Sequence, residues 1–158
     1  MDFTLPAEIE FLKENVRKFA KEVVEPVAMD IEENDHIPED IIEKSKAMGL
    51  FGLSILEEYG GLGLSMVGKC AIYEELGKTH NGYTTLIGAH TGIGTVGIVE
   101  LGTEEQKRRY LPKMATGERI GAFALTEPSA GSNAAAIGRV PRPSIIAQPP
   151  ASSTIVTM

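Results

Sequence analysis

The chain has 158 residues, 42% of them apolar, with 15 basic and 22 acidic side chains, enough for one domain with a real core. A net charge of −7 argues against a nucleic-acid binder, and the single cysteine excludes an intrachain disulfide framework or a Cys-rich metal site. The N-terminus MDFTLPAEIEFLKENV is too acidic and polar for a signal or transit peptide, and no apolar run approaches the ~18 residues of a membrane span, so the expectation is a cytoplasmic protein with no metal.

Residues 5–28 read as a helix, with apolar side chains at Ile9, Leu12, Val16, Phe19, Val23 and Val27. Thr4 suits its N-cap, Pro6 its first turn, and Pro26 predicts a bend or an end nearby. The acidic run Asp30–Asp35 reads as a solvated loop or helix end. A second helix is expected from Pro38 to Met48, closed by Gly49 in a left-handed conformation. Leu50 to Leu56 is a short buried or extended apolar stretch, and Glu57 to Gly63 is a turn by its glycines. A third helix is expected from Ser65 to Leu76, with Cys70 as a buried structural cysteine.

The fourth helix, Tyr83 to Leu101, is unusual, because six glycines lie between Gly82 and Gly102. Each glycine inside a helix costs roughly 1 kcal/mol against alanine, so a close approach to another helix or to a ligand is implied. Gly92 to Gly97 matches GxGxxG, but a dinucleotide site also needs a strand before it and a full helix after it. Thr103 to Gln106 is a capping box that opens a fifth helix, ending near Met114. Ile120 to Leu125 then reads as a strand, followed by a turn at Pro128–Ser132. His36, His80 and His90 are scattered and assemble no catalytic set. The last 31 residues contain no acid and five of the nine prolines, and residues 138–158 read as mostly disordered.

The turn after the strand carries backbone amides and the hydroxyls of Thr126, Ser129 and Ser132, groups able to bond a flat heterocycle or a phosphate. The segment containing it, GERIGAFALTEPSAGSNAAAI, closely resembles a signature of the acyl-CoA dehydrogenases. So do MGLFGLSILEEYGGLGLS and AHTGIGTVGIVELGTEEQKRRYLPKMATGE, and the likeness covers residues 1 to about 137. It is nearest to the short-chain, butyryl-CoA type.

The resemblance implies a mainly α fold: an N-terminal domain of about five helices over residues 1–119, the start of a middle β-domain over 120–137, and a non-family tail over 138–158. It implies FAD as cofactor and dehydrogenation of a short-chain acyl-CoA to its trans-2-enoyl form. An electron-transferring flavoprotein would be the partner, and the assembly a homo-oligomer. Phe123, Ala124, Leu125, Thr126, Glu127, Pro128, Ser129, Ala130, Gly131 and Ser132 would lie along the flavin, with Ser132 also approaching the CoA thioester or pantetheine. The helix around His90 to Gly97 would help wall the acyl pocket. Asn133 stands where the family usually has Asp. The chain has no Trp for the family's second flavin segment and lacks the domain that carries the catalytic glutamate. A truncated or frameshifted product, inactive alone and left with an unpaired strand edge, is therefore expected. A non-catalytic helical module for binding or oligomerisation is the alternative.

Overall fold

The computed structural model describes residues 4–128, 130–136 and the backbone of 154–157. Among the described residues seven α-segments appear where five helices are expected, because two of the five are interrupted: α1 Ala7–Phe19, α2 Ala28–Asn34, α3 Glu39–Ala47, α4 Met66–Leu76, α5 Asn81–Thr91, α6 Val96–Leu101 and α7 Glu104–Ala115. Two short strands follow, β1 Arg119–Ala122 and β2 Thr154–Thr157.

The first interruption lies between α1 and α2. Pro26 has no N–H, and its ring would strike the carbonyl four residues back in a regular helix. The chain answers with a π-turn over Ala20–Val24, closed by the Glu25 N–H on the Ala20 carbonyl, and a 3-10 turn over Glu25–Val27. The helical course thus continues to Asn34, and Asp30 to Asn34 is helix rather than loop. The π-turn inserts one residue, so Val24 is fully buried where periodicity points to Val23. α1 itself starts at Ala7, its first turn closed on the Pro6 carbonyl rather than on a Thr4 cap.

Local signals set the other ends. Gly49 closes α3 at φ 73°, Ser65 caps α4 through the Gly68 N–H, and the Thr103–Gln106 box is formed on both sides. Cys70 is exposed rather than buried. The inward stripe of α4 is Gly68, Ala71, Ile72, Glu75 and Leu76, and Cys70 falls off it.

The main core joins Val16 and Phe19 of α1, Ile31 of α2, Ile41 of α3, Ile72 and Leu76 of α4 and Tyr83 and Ile87 of α5 around Leu50, Phe51 and Leu53. A second cluster packs Ile55 and Tyr59 against Ile98 of α6 and Leu111, Met114 and Ala115 of α7. Tyr83 is fully buried, its hydroxyl 2.7 Å from the Ser45 Oγ, and burial pushes its pKa up to about 12. β1 ends at Ala122, three residues short of the expected strand. It is not an unpaired edge: β2 lies parallel to it, with Arg119 opposite Thr154 and Ala122 opposite Thr157. Apart from those four residues, the expected disorder of 138–158 falls outside the described residues. No described helix is long and apolar enough to cross a membrane.

Candidate functional site

The break between α5 and α6 organises the site. α5 is terminated by the Gly94 N–H on the Ala89 carbonyl at 2.8 Å and by the Thr95 hydroxyl on the His90 carbonyl at 2.9 Å. Gly94 then lies directly against Gly121 of β1. A Cβ on Gly94 would sit 2.7 Å from the Gly121 carbonyl, and one on Gly121 would sit 2.7 Å from the Gly94 oxygen. The glycines of this region thus permit a close approach, but of a loop to a strand rather than of helix to helix. The GxGxxG stretch has a helix, α5, in front of it instead of a strand, which removes the dinucleotide reading.

A cavity of about 300 Å³ opens between α4 and α5 beside this break. One wall is the row Thr84, Gly88, Thr91 and Gly92; the other is Met66, Lys69 and Tyr73, with Ser54 and Val96 completing it. The hydroxyls are turned to partners within the chain. Thr84 Oγ1 donates to the Leu76 carbonyl at 2.8 Å, Thr91 Oγ1 to the Ile87 carbonyl at 2.6 Å, Tyr73 to Thr91 Oγ1, and Ser54 to the Thr91 carbonyl. Burial raises the Tyr73 pKa, so its phenol stays protonated. The surface left to a ligand is therefore apolar side chain (Met66, Val96, the Tyr73 ring and the threonine methyls) and glycine backbone, with Lys69 the one charged group among the described lining residues. Small residues at 84, 88, 91 and 92 follow helical spacing, so this wall had a signal in the sequence. Met66, Lys69 and Tyr73 had none, because it takes tertiary packing to bring α4 opposite.

The segment after β1 is open. Phe123, Ala124, Leu125 and Thr126 are exposed, and their backbone groups exchange no hydrogen bonds with other described residues. Glu127 and Ala130 close a tight turn through two mutual backbone bonds of 2.8 and 3.2 Å, and Pro128 at its tip is exposed. Ala130 is buried, at 6% exposure; Gly131 packs near the Thr126 methyl; Ser132 and Asn133 are exposed. Ser129 lies outside the described residues.

The three histidines do not converge. His80 donates from Nε2 to Glu32 at 2.8 Å and accepts the Gly82 N–H on Nδ1, capping α5. His36 lines a separate cavity with it. Among the described residues no cluster of three or more His, Cys, Asp or Glu is placed to hold a metal. His90 is fully buried, with Nε2 3.1 Å from the carbonyl oxygens of both Phe51 and Met114 and Nδ1 2.8 Å from the Gly121 nitrogen. Carbonyls only accept and an amide N–H only donates, so the ring is the neutral Nε2–H tautomer. Burial holds its pKa below the ordinary histidine value, partly offset by the two carbonyl bonds. Glu75 is the buried carboxylate, bound by Arg17 at 3.1 Å and Lys78 at 2.7 Å, with Lys13 at 3.7 Å. These cations, Arg17 foremost, hold its pKa down at about 2.

A family model, acyl-CoA dehydrogenase N-terminal domain, matches residues 6–118. The chain belongs to the acyl-CoA dehydrogenase family. It is 40% identical over 136 residues to the short-chain-specific acyl-CoA dehydrogenase of Clostridium acetobutylicum, covering 86% of this chain and 36% of that one. It is 43% identical over 143 residues to the very long-chain-specific mitochondrial enzyme of Bos taurus, covering 84% and 22%. Identity to two relatives of opposite chain-length class is thus nearly equal and does not select between them. The acyl-CoA dehydrogenase of Bacillus anthracis, solved in complex with FAD, superposes with a TM-score of 0.74 at 36% identity, covering 83% of this chain and 22% of that one. The chain spans about a third or less of the length of these relatives.

Proposed function

We propose that these residues supply the acyl-binding wall and one flavin-contacting edge of an FAD-dependent acyl-CoA dehydrogenase that takes a short-chain acyl-CoA to its trans-2-enoyl form. Residues 1–119 are the helical domain in this reading, and 120–137 begin the middle β-domain. The observation that carries it is the cavity between α4 and α5, whose hydroxyls are satisfied internally and whose open surface suits an alkyl chain.

The residues present also fit one edge of a flavin. Phe123 to Thr126 offer backbone donors and acceptors, and the Thr126 and Ser132 side chains are exposed beside them. Together with Glu127 to Gly131 they would hold FAD, which supplies the hydride acceptor when bound, and Ser132 would reach the thioester or pantetheine. Removal of the α-proton needs a general base, which the family resemblance implies is a carboxylate. Among the described residues no carboxylate lines the cavity, and Glu75 is committed to three cations. These residues therefore bind and orient, and the base comes from outside them. Electron transfer to an electron-transferring flavoprotein and homo-oligomeric assembly belong to the same reading.

The test is a titration of the purified chain with FAD and with butyryl-CoA. The expected result is no tightly held flavin and no turnover, with amide signals of Gly88 and Gly92 shifting on addition of the acyl-CoA. Gly88 has open space where a Cβ would be, so Gly88→Leu should fill the cavity without strain and abolish those shifts. Unmoved signals in the parent chain, or a yellow protein bleached by butyryl-CoA, would each overturn part of the reading.

A further inference from the structure

We propose that His90 is a positioning residue, a single buried imidazole that docks the flavin-contacting segment onto the acyl-binding wall. The inference rests on the function proposed above for those two surfaces.

Three separate pieces of chain meet on this ring. Phe51 belongs to the turn after α3, Met114 to the last turn of α7, and Gly121 to β1, and each gives one backbone group to it. The ring cannot swing away. Its own backbone carbonyl is held by Thr95, and the Phe51 ring packs edge-on against it at 5.2 Å. Gly94 meets Gly121 on the same strand residue, so β1 is held by a hydrogen bond and a backbone contact together. Thr91 and Gly92, the two residues after His90, line the cavity; Phe123, two residues after Gly121, opens the flavin segment. β1 is thus tied to the residues behind the cavity wall by the His90–Gly121 hydrogen bond and the Gly94–Gly121 contact, while its Ile120 packs on the main core and Met114 packs against Gly121.

Histidine suits this chemistry. A neutral imidazole has one donor and one acceptor at opposite sides of a rigid plane. A charged ring would turn an N–H against the Gly121 N–H and lose the dock. The charged side chains flanking its partners are Lys113, Glu118 and Arg119. Lys113 pairs with Glu118 at 2.7 Å and Arg119 lies over the Tyr110 ring, and none of them contributes to the shift in the imidazole's basicity.

Isotope-labelled full chain and NMR test this. The expected spectrum shows His90 as the Nε2–H tautomer, with a scalar coupling from Nδ1 across the hydrogen bond to the Gly121 amide. On acidification the ring and the Gly121 amide should change together, at a pH below the ordinary histidine range. In His90→Leu the Gly121 amide should exchange about 100-fold faster, the loss of one buried hydrogen bond. Amides of α1 and α4 should change less than about twofold. His90→Asn, which keeps a donor and an acceptor, should recover part of the protection. Should the leucine variant not fold, the wild-type coupling and titration decide alone. A ring that titrates in the ordinary range with Gly121 unmoved would overturn the proposal. So would unaltered Gly121 exchange in His90→Leu, or uniform loosening of every helix. None of these readouts uses flavin or acyl-CoA, so failure here is separable from failure of the proposed function.

Discussion

Glu75 and His90 are both buried, and acid reaches them at different points. His90 has a depressed pKa, so its contribution is complete above the unfolded-state value of about 6.5 and is lost as pH falls below it. Glu75 has a depressed carboxylate pKa, so its contribution is complete above the unfolded-state range and is lost as pH falls toward about 2. Urea midpoints measured against pH should therefore be level near neutrality, fall once below about 6.5, and fall again below about 4.5. Glu75→Gln should shrink the second step, leaving the smaller contributions of the exposed Asp40, Glu74 and Glu118, whose pKa values are also held down by lysine partners. At neutral pH it should cost about 2 kcal/mol, less than a stranded buried charge would, because Arg17 and Lys78 remain free to turn to water. His90 was legible in the sequence only as one of three scattered histidines, since its partners lie 24 to 39 residues away in the chain.

At the scale of single elements, the ends set by neighbouring residues were readable and those set by distant ones were not. The α7 capping box is entirely local, and Thr103→Ala should lower stability by about 1 kcal/mol in a denaturant titration. Gly49 and Ser65 are of the same kind. The break after α5 is different. Nothing within Tyr83 to Leu101 states that β1 will lie on Gly94, so periodicity carries one helix across it. Gly94→Ala should force the two backbones apart, costing about 1–3 kcal/mol and shifting β1 amides more than those of α1. Cys70 shows the limit of pattern reading in another way. α4 is apolar enough on several sides that only packing against α1 decides which stripe faces inward.

Across the whole molecule, the main core is buried, and the exposed apolar side chains include Phe11, Met29, Met66 and Val67 on the helices as well as a group around the break. Ile93, Val96, Leu101, Phe123 and Leu125 are all exposed, and all belong to the break, α6 or the segment after β1. Exposed apolar surface of this kind promotes self-association. The double substitution Leu101→Glu and Leu125→Glu should raise the concentration at which the chain aggregates, measured by light scattering, with little change in the urea midpoint. The candidate site shared this division. The proposed flavin segment, Phe123–Ser132, is one contiguous run that a motif can display, whereas the cavity draws on α4, α5 and Ser54 together.

The π-turn over Ala20–Val24 has a consequence for how the gene can vary. Each residue of an α-helix turns the chain by about 100°. Deleting exposed Lys21 would let that turn relax to ordinary α-helix. It would also rotate everything downstream by that angle, carrying Ile31 out of the core and setting Pro26 against the carbonyl it now avoids. The extra residue acts as a phase setting between two halves of one helix. Substitutions at the surface positions there should be silent, while single-residue deletions should not fold.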